Sequence, residues 1–285
     1  MISSTETLAS AAPHRLHGGG SSISTRSRAV GSSAEMRYTY AMADITDYFL
    51  RIAPGLVLIV ALFLLLPRKQ IITRVFLLIL GFILMRDAMT PAGFWAFGVN
   101  ESSVWIRFTN DGWMLVVLAV LSLATSFMLL RVTSLAELVR WGSASRPLAY
   151  LVGIAAGFAV SLPFLLLSLP VDSARRGGEV AMVLLPALLL MSLAGNFLEE
   201  LIFRGFLQGY FEKHMSTMRA ALISGGMFAA AHIYLASTVT DLGWPLLVFV
   251  LVEGLACALI YRKFGLISAA LTHGTAIFIL ASGLF

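Results

Sequence analysis

Five side chains in the C-terminal part of this sequence have the types and spacing to do acid–base chemistry together: Glu199, Glu200, Arg204, His232 and His273. The first three close a run of nineteen uncharged residues, 180–198. Charged groups at membrane depth are costly and face a bundle interior or a wet cavity. On a helix, Glu200 and Arg204 are four apart and lie one above the other, in the favourable acid-first order. Glu199 is turned about 100° away by the helical repeat and cannot share Arg204 equally. The spacing therefore predicts one carboxylate tied to an arginine and its neighbour left unpaired. An unpaired carboxylate in a low-dielectric site is a candidate general base. Taken alone, the run also reads as an interfacial helix end with a local salt bridge.

The chain has five histidines. His14 and His17 lie in the N-terminal tail, and His214 stands in a loop beside Lys213. His232 and His273 lie inside apolar runs, His232 with Phe228 on its own face one turn earlier. Depth links them to Glu199. Glu199 is fourteen residues from Lys213, His232 thirteen from Arg219 and His273 ten from Lys263. At the α-helical rise these offsets are roughly 21, 20 and 15 Å from the basic end of each helix. Three separate helices thus bring Glu, His and His to about one layer. Glu253, nine residues from Arg262, falls near that layer and reads as a structural partner for a neighbouring helix.

Such a constellation admits two chemistries. The glutamate can activate a water directly, with a histidine orienting it and another polar group stabilising the oxyanion. Alternatively Glu199, His232 and His273 can hold zinc, with an open position for water. No His-Glu-x-x-His run is present, which excludes the standard soluble zinc-protease helix. With at best two histidines and a glutamate as ligands, and only Glu253 as an outer carboxylate, the expectation is no stoichiometric zinc and no other cofactor.

The elements that must position these groups are membrane helices. The sequence is 59% hydrophobic and 12% charged, about half the charge of a soluble domain. Long uncharged runs recur and do not alternate, so the fold class is all-α, a polytopic transmembrane bundle of about eight helices. The net charge of +5 fits basic loops on one side of a membrane and is no evidence for nucleic acid. Cys257 has no partner for an internal disulfide and reads as inert packing.

Residues 1–35 are rich in Ser, Gly and Ala without periodicity and read as a disordered tail, with Met36 and Met42 as candidate starts. Residues 36–179 hold N-terminal membrane helices and interfacial segments, and 180–285 a four-helix core. Charged borders set spans at 52–67, from Ile71 to 85, 112–130, 147–171, 180–211, 220–240, 242–261 and 264–285. Residues 88–110 read as an interfacial aromatic loop, and 132–145 as an amphipathic segment lying in the interface. Pro186 is expected to kink the fifth helix. Gly153 and Gly157 form a small-xxx-small pair for close helix approach. Asn100-Glu101-Ser102 fits a glycosylation acceptor. Ten basic residues flank alternate loops, and only Arg86, Arg107, Arg175 and Arg176 the others, which puts the first set in the cytoplasm.

Glu199-Glu200-x-x-x-Arg204, Phe228-x-x-x-His232 and His273 on a last helix resemble, in that order, the motifs of the CPBP family. These are the CAAX-processing type II proteases and the bacteriocin-processing or self-immunity membrane proteases, also called the Abi family. The resemblance covers about 180–285. It implies an eight-helix intramembrane endopeptidase in a bacterial cytoplasmic membrane, its site opening toward the cytoplasm. Its substrates would be membrane-associated, prenylated or leader peptides. It also implies Glu199 as base, Glu200 with Arg204 as its support and His232 as the group that positions water. One position departs. The family's Asn four residues after the last histidine is here Ile277, which donates no hydrogen bond. His273 is then the main side-chain donor to the oxyanion, and losing one such donor costs about 10²–10³ in rate.

Two further functions compete with the endopeptidase. One is a catalytically weak scaffold or bacteriocin-immunity-type protein of the same family. The other is a proton-coupled transporter, which would show broken helices in paired halves; no such repeat is visible.

Overall fold

The computed structural model describes residues 33–99, 104–132, 134–142, 146–240 and 242–284. The tail through residue 32 and the Asn100-Glu101-Ser102 triplet lie outside the described residues. Among them are eight helices and one hairpin. Helix α1 spans Ser33–Leu65 and α2 Ile71–Asp87; strands β1 (Trp95–Val99) and β2 (Val104–Phe108) follow. Next come α3 (Gly112–Val132) and α4 (Arg146–Ser168). Helix α5 starts as Leu185–Glu200 and continues through a π-helical stretch, Leu201–Gln208, to a last α turn, Gly209–Glu212. The bundle closes with α6 (Thr217–Ala230), α7 (Trp244–Phe264) and α8 (Leu266–Ser282). Six of these segments are long and apolar enough to cross a membrane, and α8 is a shorter apolar helix.

Helix α8 carries His273 and is placed by close contacts. It lies against α4 at Gly153 and Gly157, where a Cβ would run into the Ser268 and Thr272 backbone oxygens. The Thr272 hydroxyl donates to the Gly153 carbonyl at 3.1 Å. The small-residue pair thus does what its spacing predicts. The first amides of α8 have no intrahelical acceptor. Leu266 N–H donates to the Arg140 carbonyl and Ile267 N–H to that of Trp141.

That contact corrects the expectation for 132–145. Among the segment's described residues, 134–142 form no amphipathic α-helix. It holds a short 3₁₀ turn, Ser134–Leu138, with Leu135 and Leu138 buried in the core. Its backbone caps α8, while the Arg140 side chain donates to the Tyr261 carbonyl at 2.6 Å.

The described residues of the aromatic segment, 88–99 and 104–110, hold two paired strands where the sequence implied a loop. Trp95 pairs with Phe108, Ala96 with Arg107, Phe97 with Ile106 and Gly98 with Trp105 in an antiparallel hairpin. Side chains alternate across a strand, so Trp95, Phe97, Ile106 and Phe108 share one face, turned into the bundle. Arg107, on the opposite face, donates to the Gly178 and Leu280 carbonyls and ties the hairpin to the end of α8.

Pro186 makes no kink. It lies in the first turn of α5, where its missing N–H has no acceptor to lose. The irregularity comes instead at Leu201–Gln208, just after the two glutamates; π-helical turns often mark functional sites. The largest hydrophobic cluster joins Val75, Ile79 and Phe82 of α2 to Phe203, Phe206 and Phe228, across the 179/180 boundary.

Candidate active site

Helix α5 presents its two glutamates to different surroundings. Glu199 lines a cavity of about 350 Å³ together with His232, Glu253, His273, Asn196 and Arg86. Glu200 and Arg204 do not line it; both are fully buried behind it. The Arg204 Nη1 to Glu200 Oε1 distance is 2.8 Å, the ion pair predicted from the i,i+4 spacing. Arg204 also donates through Nη2 to the Gly254 carbonyl at 2.8 Å, and its guanidinium lies 4.3 Å over the Phe228 ring.

His273 connects the two carboxylates. Its Nδ1 donates to Glu200 Oε1 at 2.9 Å. Its Nε2 lies 4.0 Å from Glu199 Oε2 and 3.5 Å from Glu253 Oε2. His232 approaches Glu199 from the other side, with Nε2 3.7 Å from Oε1. The Phe228 ring supports both imidazoles, at centroid distances of 4.7 Å to His232 and 5.5 Å to His273. All five residues expected from the sequence are thus brought together, and Glu253 joins them at the cavity wall.

Glu199 is not as isolated as the spacing implied. Arg86 Nη1, from α2, lies 3.6 Å from Glu199 Oε1. Sequence reading placed Arg86 in a loop; the structure buries it at 5% exposure in the cavity wall. It donates through Nη1 to His232 Nε2 at 2.9 Å and through Nη2 to the Ala231 carbonyl at 2.8 Å. Helix α6 ends at Ala230, and Arg86 meets a carbonyl just past that end. Asp87 steadies the guanidinium, accepting from Nε at 2.7 Å.

These bonds fix the His232 tautomer. A guanidinium has no acceptor, so Nε2 takes its hydrogen bond on a lone pair. His232 Nδ1 then carries the proton and donates to the Phe228 carbonyl at 2.8 Å. The sequence signal for Arg86 was slight: an Arg-Asp pair closing the apolar run 75–85. Asn196 was a second omission. It sits one turn before Glu200 at the cavity wall, and its Nδ2 donates to the Ser192 carbonyl at 2.6 Å.

The helices long enough to cross a membrane make the chain a multi-pass membrane protein. Residues 181–279 match the family model described as type II CAAX prenyl endopeptidase Rce1-like, and the resemblance read from the motifs holds over that segment. Outside 181–279 the chain is not covered by that family model. No curated protein and no solved structure matches the chain.

Proposed function

We propose that the protein is an intramembrane endopeptidase in which Glu199 is the general base. The observation that carries this reading is the split between adjacent glutamates, one at the cavity wall between two imidazoles and one locked behind it. The 4.0 Å between Glu199 Oε2 and His273 Nε2 is a distance that one water, hydrogen-bonded to both, spans. Glu199 takes a proton from that water as its oxygen attacks the scissile carbonyl. It returns the proton to the leaving nitrogen as the C–N bond breaks. Glu200, held by Arg204, orients His273.

The resemblance gives His232 the task of positioning water. In this reading it instead holds Arg86, because Nε2 already accepts from the guanidinium. The same contact supports a metal-free mechanism. A zinc on Glu199, His232 and His273 would have to displace a cation from His232 Nε2. A separate acid–thiol–imidazole cluster, Glu200, Cys257 and His273, offers a carboxylate already taken by Arg204 and His273. Elemental analysis of purified protein is expected to give no stoichiometric zinc; one zinc per chain, lost in His232→Ala, would contradict this.

The cavity is lined by Tyr48, Phe82, Trp95, Phe97, Trp105 and Phe249 among others, which suits apolar or lipidated peptides. Arg86 is a site residue and no longer counts toward a loop, which widens the charge asymmetry. The hairpin residues Trp95, Phe97, Trp105 and Phe108 line the cavity from the side that the basic-loop count places opposite the cytoplasm, so this reading does not keep the expected opening toward the cytoplasm. Ile277 favours a second reading, a catalytically weak scaffold. One experiment separates the two: mass spectrometry of new peptide termini in membranes carrying wild type or Glu199→Ala. The endopeptidase reading expects termini that depend on Glu199; a scaffold expects none, and termini that survive Glu199→Ala would remove Glu199 as base.

A further inference from the structure

We infer that Arg86 is a catalytic residue, the cation that stabilises the tetrahedral oxyanion. This rests on the reading of Glu199 as base. The attacking water brings its oxygen to the carbonyl carbon, and the carbonyl π electrons move onto oxygen, creating a negative charge that needs a donor. The sequence offered His273 for this. In the structure its Nδ1 is committed to Glu200, and its Nε2 faces Glu253 at 3.5 Å and Glu199 at 4.0 Å. An oxyanion there would meet carboxylates. His232 accepts at Nε2 and donates at Nδ1 to the backbone. The Asn196 amide is bonded to the Ser192 carbonyl, and Ile277 has no donor.

Arg86 remains. A guanidinium has five N–H groups. Nε and Nη2 serve Asp87 and the Ala231 carbonyl, and one Nη1 hydrogen serves His232. The second Nη1 hydrogen is uncommitted to any of these, and Nη1 stands 3.6 Å from Glu199 Oε1, at the cavity wall. With water on the Oε2 side, next to His273, the carbonyl oxygen comes to the Oε1 side, where Arg86 is. Asp87, Ala231 and His232 fix the guanidinium before substrate arrives, and a preorganised charge needs no rearrangement at the moment of reaction. When the C–N bond breaks, the electron pair returns from oxygen to carbon and the amine leaves with the Glu199 proton. The inference also gives α2, outside the family-matched segment, a part in the chemistry.

The test measures the rate of formation of new termini in membrane vesicles, per amount of monodisperse extracted protein. The variants are wild type, Glu199→Ala, Arg86→Gln and Arg86→Lys. Arg86→Gln is expected to cut at the same sites about 10²–10³-fold more slowly, with Arg86→Lys intermediate. Arg86→Gln at wild-type rate, with Glu199→Ala inactive, would overturn the role of Arg86 and leave Glu199 as base. Termini that survive Glu199→Ala, or that wild type does not form, would overturn both. If Arg86→Gln does not accumulate, Arg86→Lys decides. A lysine ammonium has three donors on one atom and cannot reproduce the planar five-donor fork that holds Asp87, His232 and Ala231 while reaching the oxyanion, so a wild-type rate from folded Arg86→Lys would also overturn the inference.

Discussion

Arg204 and Arg86 are the two guanidiniums of the site, and their surroundings differ. Arg204 takes its acid from its own helix, one turn away, and is fully buried behind the cavity. Arg86 comes from α2, has its tightest carboxylate contact with the adjacent Asp87, and spends its other bonds on a backbone carbonyl and an imidazole. Both lie against a phenylalanine ring, Arg204 over Phe228 and Arg86 over Phe82. Its place behind the cavity, away from the lining, marks the first as a support. The second, with a donor turned to the cavity wall, is placed to act on a substrate.

The largest effect that can break this contrast is on stability. Arg204→Ala strands Glu200 in the interior, and removing one partner of a buried pair costs about 3–5 kcal/mol. Accumulation and thermal stability in detergent should drop well below those of Arg86→Lys. Equal behaviour of the two variants would erase the distinction.

Next is His273→Ala. It removes the ring between the two carboxylates, and turnover should fall by about 10² or more. Glu200 keeps Arg204, so the protein should still accumulate, though less than wild type because the 2.9 Å bond to Glu200 is lost. Retained turnover would take His273 out of the proposed water site.

Glu253→Gln sharpens the carboxylate side. It keeps the shape of the cavity wall but removes a charge 3.5 Å from His273 Nε2. A structural partner predicts lower accumulation at unchanged rate per folded molecule; a proton-handling group predicts the reverse. The cavity position and the contact with the proposed water-binding nitrogen favour the second outcome.

The smallest effect belongs to Ile277→Asn. Ile277 lines the cavity one turn from His273. If Arg86 already serves the oxyanion, an added amide changes the rate little. A rise on the 10² scale of an oxyanion donor would move that role to this end of α8.

Much of the site was legible because its signals are local or tied to span borders. The i,i+4 spacing separated Glu199 from Glu200, and basic residues at helix ends let depth be counted for His232 and His273. Arg86 was not legible. Its partners His232 and Ala231 are 146 and 145 residues away, and at the end of α2 it looks like any loop arginine. The hairpin was hidden for a related reason. Two five-residue strands rich in Trp and Phe have the composition of an interfacial belt, and pairing shows only once Trp95 meets Phe108. In 132–145 the apolar residues were read correctly as apolar, but Leu135 and Leu138 cover the protein's own core, while Trp141 stays exposed.

The central claim is that adjacent glutamates divide catalysis from support. The most direct measurement pairs Glu199→Gln with Glu200→Gln, reading for each the melting temperature in detergent and the rate of terminus formation per folded molecule. The account predicts that Glu199→Gln melts near wild type and cuts nothing, while Glu200→Gln melts clearly lower. Cleavage by Glu199→Gln, or a Glu200→Gln protein as stable as wild type, would contradict it.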